Sequence, residues 1–355
     1  VTETLAQLST VFLYAAMGLY AAAFIAFALD LARRGARATA VEAAVVPSAV
    51  ARRAEVAAPV GAATTTVIGE PPREAPPGPS SALGRLSSRI STRVEEDLLN
   101  DSENSASLRW AFALTIIGFG FHVVADVLRG IAAARVPWAN MWEFSMTGTL
   151  VIIGVFLAAN LKWQIKYLGT FVLGLVLVLQ GIALLRYYVP VVPLQPALQS
   201  YWLVIHIIVA VLGTAFFALG FALSGLQLLQ YRRERQVAES RPQQFAFLTT
   251  LPSSVALENL AYRINIVGFI AWTFTLIAGA IWAEKAWGRY WGWDTKEVWT
   301  FIIWVIYAGY IHARATRGWR GSRSAWLAII GFAAVLFNFG IVNVFFHGLH
   351  AYSGL

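Results

Sequence analysis

Eight stretches of about 20 apolar residues, each long enough to cross the hydrocarbon core of a bilayer, recur along this chain. They run from Val11 to Leu31, Trp110 to Leu128, Met141 to Leu161, Tyr167 to Leu185, Trp202 to Leu229, Ile264 to Trp282, Val298 to Ala315 and Trp326 to Phe346. With 58% hydrophobic and 13% charged residues there is too little polar surface to coat a soluble globule of this length. The expected fold is therefore an all-α integral membrane protein with about eight transmembrane helices.

The positive charges orient these spans. Arg33, Arg34 and Arg37 follow the first span and no basic region precedes it, which reads as a retained helix rather than a secretory signal. Both termini are then expected outside, with 21 of the 27 Lys and Arg residues on the cytoplasmic side. The net charge of +8 follows from that topology and not from a basic groove, so nucleic acid is not an expected partner. Cysteine is absent, which removes disulfides, thiolate nucleophiles and thiolate metal sites from this chain. Between residues 33 and 107 the composition shifts to Ala, Pro, Ser and Thr, including PPREAPPGPSS from Pro71, and reads as a largely disordered cytoplasmic linker, with a surface helix expected from Leu86 to Leu99. The organisation is thus a first helix (1–32), the linker (33–107) and a seven-helix body (108–355). No repeat of fixed period is evident, and no obvious GxxxG dimer signal marks the spans.

Chemistry concentrates at one junction. AWGRYWGWDTKEVWTFIIW, from Ala286 to Trp304, carries five tryptophans and Asp294 where a polar loop (284–296) meets an apolar helix. An aromatic belt at the headgroups needs only one or two such rings. Trp287, Trp291 and Trp293, interleaved with Gly288 and Gly292, read instead as a platform for a flat apolar ligand. Asp294 suits either the cap of the helix that follows or a hydrogen bond in the pocket. Lys285, Arg289 and Lys296 are candidate partners for ligand carboxylates, or simply solvated interfacial charges.

The five histidines sort by depth. His206 lies four residues into its span, roughly 6 Å below the outer surface, and His350 lies just past the outer end of the last span. These two can share a ligand beside the tryptophan loop. Neutral imidazoles, large apolar rings and few carboxylates suit heme better than zinc or calcium. His312 sits roughly 21 Å from the outer end, in the cytoplasmic third, where it implies a second, deeper site if it binds anything. His122, about 12 Å away in depth, is not expected to pair with it. His347, at the lip of the last helix, reads as an interfacial hydrogen-bonding residue.

WGRYWGWDTKEVW, followed by YIHAR and the C-terminal GLHAYSG, resembles the CcsA/ResC family, named CcsB in some actinobacteria. These are heme-handling membrane proteins of system II cytochrome c biogenesis, and the resemblance covers the chain from about Trp110 onward. It implies that His206 and His350 are axial ligands of heme b at an external site. His312 would be the ligand of a membrane-embedded site, and the Trp287, Trp291, Trp293 and Asp294 loop the heme platform. VPWANMWEF resembles the family's early outer loop, which makes Pro137, Asn140 and Glu143 structural or pocket-lining; His122 stands where members often carry a histidine. The implied activity is that of a cytochrome c synthase subunit joining heme to CxxCH of apocytochrome c through thioethers. A CcsB/ResB-type membrane subunit and a thioredoxin-like thiol reductant are the implied partners, and the plasma membrane is the implied location. A heme exporter without attachment activity, and a heme-bearing subunit of a respiratory complex, are the alternatives.

Overall fold

A computed structural model describes residues 2–56, 105–194, 198–239, 241, 245–346 and 348–350, with side-chain surroundings from residue 2 to 40 in the first helix. The described residues are all-helical. Eight long helices appear: α1 Thr2–Val56, α2 Ala106–Ala133, α3 Met141–Lys162, α4 Gly169–Arg186, α5 Tyr201–Ala238, α6 Ser254–Trp287, α7 Thr295–Thr316 and α8 Ser322–Phe337. Short 3-10 turns at Lys166–Leu168 and Ala246–Thr250 join neighbours, and a π-helical turn, Asn338–Val342, extends α8.

Seven of these helices are long and apolar enough to cross a membrane. The eighth, α7, is 22 residues long but takes much of its apolar surface from Trp and Tyr and carries His312 and Arg314 near its end. It is of spanning length, about 33 Å at 1.5 Å per residue, and packs chiefly against α8 and α6. Either way the chain is a multi-pass membrane protein.

The first helix departs from expectation. It continues to Val56, well into the segment assigned by composition to a linker. Its extension has something to pack on: Gly35 lies so close to the backbone of Ala246 and Phe247 that a Cβ there would come within 2.6 Å of the Phe247 nitrogen. The expected surface helix from Leu86 to Leu99 lies outside the described residues.

Nor is α1 loosely tethered. It runs antiparallel along α2, with Ser9 Oγ donating to the Ala125 carbonyl at 2.7 Å and Tyr20 seated over Gly118. At the far end Asp30 accepts hydrogen bonds from Ser105 and Ser107, which start α2, and pairs with Arg34 at 2.7 Å. Polar contacts in an apolar seam fix register because an unpaired group there is costly.

The helices α5 and α6 make the other extensive antiparallel contact. Gly213 meets Trp272 and the Gly268 carbonyl, Gly220 meets Asn265, and Gly268 meets Phe217. Glycines here act as small interface residues that let backbones approach, at a spacing other than GxxxG. Phe217 in turn stacks on Tyr307 of α7 with ring centres 3.6 Å apart.

Candidate functional site

At one end of the bundle the starts of α3, α5 and α7 meet the ends of α4, α6 and α8 around a half-open cavity of about 430 Å³. Its walls are mostly apolar or aromatic, including Trp138, Phe144, Trp272, Trp291, Phe332 and Phe339. His206 and His350 both line it.

The two imidazoles reach this cavity from different elements and are held in the same way. His206, in the second turn of α5, uses Nδ1 to donate to the Thr275 carbonyl of α6 at 3.0 Å. That carbonyl belongs to a helix whose Thr275 side chain also bonds back to Ala271. Gly279 sits where a Cβ would come within 2.9 Å of the His206 ring, so the close approach of imidazole and helix requires glycine. His350 uses Nδ1 to donate to Asp294 Oδ2 at 2.5 Å, and its backbone N–H reaches the same oxygen at 3.2 Å. In each ring Nδ1 is therefore the donor, and Nε2 makes no hydrogen bond among the described residues. A hydrogen-bonded Nδ1 that fixes the tautomer and aims Nε2 is the usual support of a metal-binding histidine.

Trp282 touches both imidazoles. His206 stacks on it, centres 5.8 Å apart at 13°, and His350 meets it edge-on at 5.5 Å. Trp287 closes the other side of His350 at 4.8 Å and 75°. Trp282 was legible in sequence only as the end of a span. Its functional placement depends on which way α6 is rotated.

Asp294 serves two structures at once. It precedes α7 as its N-cap residue, and Glu297 at the third helical position accepts the N–H of Asp294 at 3.1 Å and of Gly292 at 2.8 Å, folding the loop back on the helix start. The Asp294 carboxylate itself is turned to His350. That hydrogen bond holds its carboxyl below the ordinary value of 3.8. The contact thus persists at neutral and mildly acidic pH and is lost only as pH falls through the lowered value. Gly348 packs directly against this carboxylate, which leaves no room for a side chain there.

The three tryptophans of the loop separate into different roles. Trp291 lines the cavity, and Trp287 braces His350. Trp293 does neither: it is 77% exposed, stands edge-on to Trp291 at 5.8 Å, and takes a left-handed backbone (φ 61°) that places its ring outside the cavity. The three tryptophans of the expected platform thus have different surroundings. Trp291→Ala is expected to weaken retention of a flat ligand by about tenfold or more, whereas Trp293→Ala leaves it within about twofold. Absorbance titration of the two purified variants checks this, and equal losses would count against the separation of roles.

The remaining candidates do not converge on the cavity as a group. Asn140 lines it while its Oδ1 caps α3 by accepting the Glu143 N–H at 2.9 Å. Glu143 does not line it; fully buried, it bonds Arg129 at 3.0 Å, Arg135 at 2.7 Å and the Ala139 N–H at 2.9 Å. Those arginines continue to the Val189 and Val192 carbonyls, so this cluster ties two loops together beneath the site. Pro137 is buried in the same loop. Arg289 is exposed and lies across Gly292, and Lys285 is paired outside with Glu284 at 2.9 Å. His122 is buried on the seam of α1 and α2, with Nδ1 3.3 Å from the Tyr20 hydroxyl, away from the cavity. His312 is exposed on α7 and also away from it. His347 lies outside the described residues.

Among the described residues no group of three or more His, Asp or Glu can hold a metal ion. Two imidazoles in an apolar, aromatic cavity instead fit a metal that brings its own equatorial donors in a flat ring, which is what an iron porphyrin does. The fold and site define a class: a multi-pass helical membrane protein with a paired-histidine cavity at one end of its bundle.

Residues 138–350 match the Cytochrome C assembly protein family, and the chain belongs to it. It is 33% identical over 259 residues to the cytochrome c biogenesis protein CcsA of Guillardia theta, covering 67% of this chain and 86% of that protein. To CcsA of Heterosigma akashiwo (strain NIES-293 / 8280G21-1) it is 34% identical over 248 residues, 62% of this chain and 77% of the relative. To CcsA of Prochlorococcus marinus it is 40% identical over 178 residues, 45% and 56% of the two chains. Among solved structures it resembles one titled Cytochrome c Heme Lyase CcmF, with a TM-score of 0.50 and 18% identity over 66% of this chain and 41% of that one, a likeness of fold. The chain is thus a membrane protein of the cytochrome c assembly family, similar over most of its helical body to cytochrome c biogenesis proteins.

Proposed function

We propose that this chain holds heme b between His206 and His350 at the extracytoplasmic face of the plasma membrane and promotes its covalent attachment to the CxxCH motif of apocytochrome c. The observation that carries the proposal is the matched pair of imidazoles in one apolar cavity, each with Nδ1 spent on a protein acceptor and Nε2 without a hydrogen bond among the described residues. His206 and His350 would ligate the iron axially, Trp291 would lie along the ring, and Trp282 and Trp287 would keep the imidazoles from turning.

Bound porphyrin supplies two vinyl groups. Each CxxCH thiol adds across one vinyl double bond, its sulfur bonding to one carbon and its proton passing to the other, so no electrons are gained or lost overall. Nothing in that step requires a nucleophile from this chain, which has no cysteine to offer. Its residues would contribute position, exclusion of water and control of the iron through axial ligation. A thioredoxin-like reductant keeps the thiols reduced in this reading, and the CxxCH histidine displaces one axial imidazole as product leaves.

The exposure of His312 on the surface of the helix bundle favours a membrane partner of the CcsB/ResB type that supplies the second ligand of a deeper site. Coexpression with such a partner and a CxxCH reporter, in cells lacking their own maturation system, tests the function as a whole. Covalent heme on the reporter is the expected result. Heme-loaded protein with an unmodified reporter would favour the exporter reading.

A further inference from the structure

Among the described residues that line the cavity, Lys296 is the only cation and Glu297 the only acid. The acid is already engaged by the two loop N–H groups. The cation is held differently. Its ammonium donates to the Asn338 carbonyl at 3.0 Å and to Asn343 Oδ1 at 2.7 Å, both neutral acceptors on the end of α8. An ammonium has three donors, so one is left. Among the described residues no carboxylate lies within ion-pair distance of it.

Its acceptors depend on the π-helical turn Asn338–Val342. Such a turn shifts the backbone hydrogen-bond register by one residue and is frequent at functional sites; here the Asn338 carbonyl is the one Lys296 takes up. The same turn presents Phe339, which stacks on Phe144 of α3 at 5.3 Å. One turn before Phe144 stands Asn140, 5% exposed, with its cap bond made through Oδ1 and its Nδ2 without a partner among the described residues. A free ammonium donor and an orphan amide donor therefore line one cavity. Both are donors, and one carboxylate of a ligand has acceptor oxygens enough for both.

We propose that Lys296 is the carboxylate receptor of this cavity and orients its ligand, with Asn140 as a second donor. The inference rests on the heme reading and extends it. The two propionates of heme b lie on one edge of the ring and the two vinyls lie toward the other. Anchoring the carboxylates at Lys296 therefore sets which edge faces the helix ends and leaves the vinyl edge to the incoming thiols. Lys296 is in this sense a positioning residue. The competing role is a plain tether between α7 and α8, which would be indifferent to the charge of the ligand.

Titration of the full-length protein in detergent with hemin and with hemin dimethyl ester, which lacks both carboxylates, separates the two. Wild-type protein is expected to bind hemin about tenfold or more tighter than the ester. Lys296→Gln should bring that ratio toward one while leaving ester affinity near the wild-type value, and Lys296→Arg should keep part of the preference. Asn343→Asp, which places a carboxylate beside the ammonium at nearly constant volume, should also lower the ratio and does not depend on Lys296→Gln folding well. A preference unchanged in Lys296→Gln and Asn343→Asp would overturn the proposal. Equal binding of both ligands by wild type would overturn it too while leaving the heme reading standing; binding of neither would remove the heme reading itself.

Discussion

His206→Ala and His350→Ala are each expected to lower heme retention through purification by more than about tenfold and to change the iron absorption bands. The reason is that each ring is one of the two imidazoles that line the cavity among the described residues, and each is held in place by its Nδ1 bond. Added imidazole should restore part of the retention, because the truncated side chain leaves a space of the right size. Gly279→Leu supplies the contrast. It drives a side chain into the His206 ring, 2.9 Å from where a Cβ would stand, and leaves no such space, so imidazole should not rescue it. If both alanine variants kept their heme and matured cytochrome at the normal rate, the paired-histidine site would be wrong.

The largest effect on stability is expected at Glu143. Its carboxylate is fully buried between Arg129 and Arg135, so Glu143→Ala strands two guanidinium groups in a dry environment, at a cost of about 3–5 kcal/mol. The variant should melt well below the wild type in detergent. Replacing all three together, by Arg129→Met, Arg135→Met and Glu143→Leu, should recover much of the loss because no unpaired charge remains. Since Glu143 does not line the cavity, the folded fraction of Glu143→Ala should bind heme with near wild-type affinity. A weak-binding but normally stable variant would place Glu143 in the pocket instead of beneath it.

The helices were legible because a bilayer demands length and apolarity, and both are one-dimensional properties of a sequence. Depth was legible for the same reason. A rise of about 1.5 Å per residue brings His206 and His350 to one level and keeps His312 well below it. Rotation was not. Whether a residue on α6 or α7 faces the cavity, a neighbour or lipid depends on partners far away in sequence. Trp282, Thr275 and Gly279 therefore carry no local signal of their place beside His206, and the motif alone does not separate Trp293, which touches Trp291 but does not line the cavity, from its neighbours. Lys296 could be named as a candidate but not separated from Lys285 and Arg289, because the choice rests on Asn338 and Asn343 more than forty residues away. Asn338 and Asn343, polar residues in an otherwise apolar span, were the signal available for that end of the site.

The first helix shows the same division. Its apolar core announced a span, but its length and register came from contacts no local pattern records: Gly35 against Phe247, Tyr20 over Gly118, Asp30 at the start of α2. The amino-acid order alone determined an all-helical membrane protein, a tryptophan-rich junction and two histidines at a shared depth. Only the tertiary structure decided which nitrogen of each imidazole is bonded to the protein, which loop tryptophan meets the cavity and which cation faces it. Those choices depend on the rotation of packed helices, and that rotation is set by glycine contacts, buried hydrogen bonds and one π-helical turn acting across the bundle.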